Sequence, residues 1–136
     1  MLTIILSLWQ LPQTLLGLII LAIFGAQGYI VRVTKIKTSW IFWTKAPNFT
    51  GISLGPIIIL DDKRFANDSF AQNHEYGHCV QSFIFGPLYL LIIGLPSLVL
   101  NNLLWSLVHK ERPYKYYTHY PEDWADKLGG VIGRYK

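Results

Sequence analysis

The first apolar run of the chain is also its longest. Residues 2–31, LTIILSLWQLPQTLLGLIILAIFGAQGYIV, contain no Asp, Glu, Lys or Arg. Thr14 to Val31 is long enough to cross a bilayer as a helix entered at Pro12, with Trp9 and Tyr29 near the two interfaces. A secretory signal would begin with basic residues, and none is present. Residues 36–60 have a different character. IKTSWIFWT and ISLGPIIIL are β-branched and aromatic, and KAPNFTG between them has turn chemistry, which predicts one β-hairpin. Pro56 cannot donate to a ladder, so the second strand is expected at an edge or with an irregular start. Asp68 or Ser69 caps a helix running to about Phe85, where Gly86-Pro87 stops it. Pro87 to Val108 is again apolar and long enough for a second span, but Gly94-Leu95-Pro96-Ser97 interrupts it. A polar, aromatic segment leads to a last helix from about Pro121 to Gly129.

Composition sharpens this picture. The chain has 136 residues, the length of a single domain, and is 51% hydrophobic. Only 15% of its residues are charged, against roughly 25% in soluble domains, which points to a lipid bilayer as a partner. The net charge of +4 is modest and spread out, with no basic face or nucleic-acid motif, so no nucleic-acid partner is expected. Arg32, Lys35, Lys37 and Lys45 follow the first apolar run and none precedes it. The positive-inside rule then places the region after Val31 in the cytoplasm. A single cysteine, Cys79, excludes an internal disulfide and a multi-thiolate metal site, and reads as an inert buried thiol.

The sharpest chemical signal is His74-Glu75-Tyr76-Gly77-His78. Residues four apart share a helix face, so both imidazoles can reach one zinc ion, while Glu75 on the flank can act as general base. Gly77 removes a side chain beside the second ligand and lets another element approach. A catalytic zinc needs a third protein ligand. The downstream candidates are His109, Glu111, His119, Glu122, Asp123 and Asp126. Glu122-Asp123-Trp124-Ala125-Asp126 favours Glu122 as ligand, because Asp126 one turn later can accept the spare ring N–H of a ligating histidine. His119 is the preferred additional donor for a developing oxyanion.

These two segments, His-Glu-x-x-His and Glu-x-x-Ala-Asp, resemble the motif pair of gluzincin metallopeptidases, in particular the membrane-bound group that includes the CAAX prenyl proteases. NHEYGHCVQS, GPLYLLIIGLPS and EDWADKLGGV are similar to short bacterial membrane-associated proteins carrying the same motifs. The resemblance implies metal ligands His74, His78 and Glu122, base Glu75 and supporting Asp126. It also implies a peptide or protein substrate aligned on an edge strand, for which Leu54 to Leu60 is the candidate, and the inner membrane of a bacterium as location. The chain is much shorter than the CAAX-type enzymes and lacks their multi-helix chamber.

Zinc ligation constrains topology. If Phe83 to Val108 crossed the bilayer, His78 and Glu122 would lie on opposite sides. The expected fold is therefore a mainly α membrane protein with a small β-hairpin. An N-terminal transmembrane helix (1–31) precedes a zincin-like domain (32–136), which holds a re-entrant or interfacial helical hairpin (about 83–108) folding at Gly94-Leu95-Pro96. The rival outcome is two full spans with no metal, or a metal site that only holds helices together without catalysis.

Overall fold

Pro12 lacks an N–H and crowds the preceding turn, so it opens a helix and does not continue one. In the computed structural model, which describes residues 1–99 and 120–131, the N-terminal run accordingly forms two helices. They are α1 (Leu2–Trp9) and α2 (Leu11–Ala26), bent by 104° at Gln10. This departs from the single long helix expected. Gly28, at φ +69°, turns the chain out of α2, and Ile30 and Val31 already belong to the first strand. No single described helix is long and apolar enough to cross a membrane; two bent pairs satisfy length and composition together.

The β region is larger than one hairpin. Strands β1 (Ile30–Ile36), β2 (Ser39–Thr44), β3 (Gly51–Leu54) and β4 (Ile57–Asp61) form a mixed sheet in the order β1-β2-β4-β3. IKTSWIFWT supplies the turn and second strand of a hairpin that begins at Ile30, and ISLGPIIIL, read as one strand, is itself a tight hairpin. One turns at Lys37-Thr38, with Lys37 at φ 50°, and the other at Gly55-Pro56, with Gly55 at φ +64°. The two hairpins join through parallel pairing of β2 with β4. Pro56 sits in the turn, where its missing N–H costs nothing, and β4 behind it is an inner strand. Leu54 to Leu60 is therefore not the edge; β3 is. Ile57, Ile58, Ile59 and Leu60 are all buried, as befits a strand covered on both faces. Ile41, Trp43, Ile58 and Leu60 form the core against the back of the next long helix, with the buried Cys79 among them. On the opposite face α2 presses close, and a Cβ on Gly17 would lie 3.1 Å from Ile57 Cδ1.

After a short helix α3 (Asp62–Phe65), Asp68 caps α4 (Ser69–Phe85) by accepting from Ala71 N at 3.0 Å. The chain turns at Gly86–Leu88, and the helical arm Leu90–Val99 leaves at 120° to α4. The expected fold at Gly94-Leu95-Pro96 does not occur. Leu90–Gly94 forms wide π-helical turns and the arm stays helical past Pro96; the described change of direction lies at Gly86–Leu88, and residues 100–108 of the expected hairpin lie outside the described residues. Trp9 Nε1 and Gln13 Nε2 donate to the carbonyls of Phe83 and Gly86, both at 2.8 Å, satisfying acceptors that the end of α4 leaves open.

Helix α5 (Glu122–Gly129) crosses α4 at very short range. A Cβ on Gly77 would stand 1.8 Å from Ala125 O, and one on Gly129 would stand 1.9 Å from Asn73 O. The close approach anticipated at Gly77 is thus made by α5, across the fully buried Ala125. Gly77→Ala should cost about 1–3 kcal/mol despite better helix propensity, because backbone must move. Gly25→Ala in α2, with nothing within 4 Å, should gain about 0.5–1 kcal/mol. Denaturant unfolding of the two variants checks this contrast, and equal effects would contradict the packing described.

Candidate metal centre

His74 and His78 occupy successive turns of α4 and point the same way, with perpendicular rings 4.8 Å apart. Each ring is held from behind. His74 Nδ1 lies 2.7 Å from Asp126 Oδ1, and His78 Nδ1 lies 2.7 Å from Gln81 Oε1. Gln81 is itself fixed by donating to Pro121 O at 3.0 Å. Both acceptors place the ring proton on Nδ1 and leave each Nε2 with a lone pair.

Those two Nε2 atoms converge on one oxygen. Glu122 opens α5, is 1% exposed, and sets Oε2 3.0 Å from His74 and 3.1 Å from His78. Its other oxygen accepts from Ser97 Oγ on the Leu90–Val99 arm. Two imidazole lone pairs facing a carboxylate oxygen repel one another unless a cation lies between them. The ligand-capable atoms of His74, His78 and Glu122 all lie within 4.8 Å of each other. This buried group could therefore hold a metal ion, with the donor set its chemistry requires.

Without a metal ion, the cation is a proton. Burial alone would lower the His74 pKa, but hydrogen bonds to Asp126 and Glu122, with the charge of Glu75, raise it from 6.5 to about 9. Burial also opposes ionisation of Glu122, yet the neighbouring His74 and His78 hold the carboxyl well below the usual carboxylate range.

Glu75 lies beside this group on the wall of a cavity of about 630 Å³, which His74, His78 and Glu122 also line. Ser53 Oγ donates to Glu75 Oε2 at 2.6 Å, tying the carboxylate to β3. The facing position is Gly51, where a Cβ would lie 3.6 Å from Glu75 Oε1. Asp61 N donates to Thr50 O, which fixes the alternation along β3. Thr50, Ile52 and Leu54 turn their main-chain groups to β4, and Gly51 and Ser53 turn theirs outward. Among the described residues no strand pairs with that outer edge, which lines the same cavity.

His74, Glu75, His78, Glu122 and Asp126 are thus brought together. His119 lies outside the described residues. Gln81, Ser53 and Ser97 were not anticipated. Gln81 carries a local signal, one turn beyond His78 on the same helix face; the two serines arrive from other elements and have none.

Since its folded pKa is raised, protonated His74 stabilises the metal-free fold fully below pH 6.5, and that contribution is lost as pH rises through about 9. A divalent ion must displace this proton. Its apparent affinity should rise about tenfold per pH unit toward pH 9 and level off above it. Competition of zinc against a chelator across this range measures the slope, and a flat profile would contradict the proton assignment.

No protein-family model, curated protein sequence or solved structure matches this chain. The reading of the metal centre therefore rests on these residues and their geometry.

Proposed function

We propose that this chain is a membrane-bound zinc metallopeptidase of gluzincin type, hydrolysing peptide bonds at the cytoplasmic face of a bacterial inner membrane. The observation that carries the reading is the convergence of His74 Nε2, His78 Nε2 and Glu122 Oε2 in a cavity that also holds Glu75 and a strand edge unpaired among the described residues. His74, His78 and Glu122 would hold the ion, and two imidazoles with one carboxylate suit zinc. Zinc there supplies Lewis acidity, activating water near neutral pH and polarising a carbonyl.

The remaining work falls to the chain's own groups. Outward N–H and C=O groups of Gly51 and Ser53 pair with an extended peptide and lay it across the cavity as an added strand. Glu75, steadied by Ser53, removes the proton of the attacking water as its oxygen bonds to the scissile carbon. The same carboxyl then returns that proton to the departing amine nitrogen as the C–N bond breaks. Asp126 and Gln81 keep the imidazoles in the ligating tautomer throughout.

Glu75→Gln keeps the shape of the site but not its base. Hydrolysis of a mixed peptide library by zinc-loaded protein should fall about 10²- to 10⁴-fold in this variant. Equal hydrolysis by wild type and variant would refute the role of Glu75. A zinc-loaded wild type with no hydrolysis would leave a metal that only clamps α4 to α5.

A further inference from the structure

The described chain divides sharply by charge. Residues 1–31 carry no Asp, Glu, Lys or Arg, and within 69–99 Glu75 is the only one. These stretches also hold most of the large exposed apolar side chains among the described residues. Ile4, Ile5 and Leu8 of α1 are 55–66% exposed, and Leu88, Leu91, Leu95 and Leu98 around the Leu90–Val99 arm are 52–66% exposed. The two surfaces meet, because Trp9 and Gln13 bond to the turn where α4 ends and the arm begins. An uncharged surface of this extent has no stable place in water. Arg32, Lys35, Lys37 and Lys45 follow the uncharged first stretch in sequence, as basic groups follow a hydrocarbon-embedded segment beside anionic headgroups.

The catalytic cavity is not remote from this surface. Leu16, Leu95 and Leu98 line it, and the same side chains are 40%, 52% and 62% exposed. The outer edge of β3, with the outward main-chain groups of Gly51 and Ser53, lines the same cavity. One rim is thus fitted to lipid and the other to main-chain pairing. The arm that supplies the apolar rim also supplies Ser97 to Glu122, so the rim and the candidate metal ligand form one unit.

We propose that the cavity mouth lies at the lipid–water boundary, and that the polypeptide it admits is an extended segment tethered to the bilayer, entering along the apolar rim. This rests on the metallopeptidase reading for the chemistry, but not for the placement. Both bent helix pairs, at 104° and 120°, then lie in one leaflet, with the site reached from the membrane surface. A tethered segment is held at high local concentration at this mouth, whereas a peptide from bulk water is not.

Site-directed spin labelling in lipid vesicles containing anionic lipid tests the placement. Cys79 is buried, so single cysteines introduced at Leu8, Leu98 and Ile52 label selectively. Leu8→Cys and Leu98→Cys should collide mainly with oxygen dissolved in lipid, and Ile52→Cys mainly with a water-soluble nickel relaxant. The zinc-loaded protein should also bind a peptide hydroxamate joined to an acyl chain by a short linker at least as well as one on a long linker. Leu98→Cys in water with Leu8→Cys in lipid, or binding of the long-linker probe alone, would overturn the mouth placement while leaving membrane attachment intact. Leu8→Cys and Leu98→Cys shielded from both relaxants would put a second protein on this face and overturn the proposal. Failure of every hydroxamate to bind would instead count against the metallopeptidase reading, since the labels report position without chemistry.

Discussion

The crossing of α4 over α5 is the constraint on which the rest of the structure depends. Two imidazoles one turn apart are common on helices; what makes them a site is a carboxylate delivered to both Nε2 atoms at once. Glu122 can do this only because the helices touch backbone to backbone, with Gly77 against Ala125 and Gly129 against Asn73. One additional carbon at either glycine would collide with the facing backbone. The same contact brings Asp126 to the back of His74 and Pro121 O to Gln81, so ligands and their supports are set by a single approach.

Burial then decides what the group does. Glu122 and both histidines are nearly removed from water, where lone pairs that face one another cannot be screened. A cation has to be present, a proton on His74 or a metal ion, and the raised His74 pKa expresses that demand. Around this point the remaining elements are arranged by simpler forces. The inner strand β4 is covered by α2 on one side and α4 on the other, which leaves β3 as the edge beside Glu75. Gln13 and Trp9 tie the uncharged α1 and α2 to the end of α4, and the arm that follows reaches back through Ser97 to Glu122.

The site was legible in the sequence to the extent that its spacing is local. His74, Glu75 and His78 lie within two helical turns, as do Glu122 and Asp126, and a fixed helical period converts such spacing directly into a shared face. The helix limits at Asp68 and Gly86 were readable for the same reason, through a cap and a Gly-Pro stop. The sheet was not. ISLGPIIIL is apolar on both sides of its turn because β4 is buried on both faces, so no alternation betrays the reversal at Gly55. Parallel pairing of β2 with β4 is a long-range fact with no local trace. The first helix was overextended because uncharged residues run past Ala26 into β1, and hydropathy does not distinguish a helix from a strand. Gly94 and Pro96 suggested a reversal, but the turn came earlier, at Gly86, whose φ of +52° and contact with Trp9 suit it to the sharp change of direction.

The central claim is that Glu122 completes a metal site with the two histidines. Metal analysis of the full chain, purified in mild detergent, beside its Glu122→Ala variant tests it directly. The expected result is about one zinc per chain in the wild type and loss of that zinc in the variant, with both proteins folded. A wild type with no stoichiometric metal, or a variant that retains it in full, would contradict it.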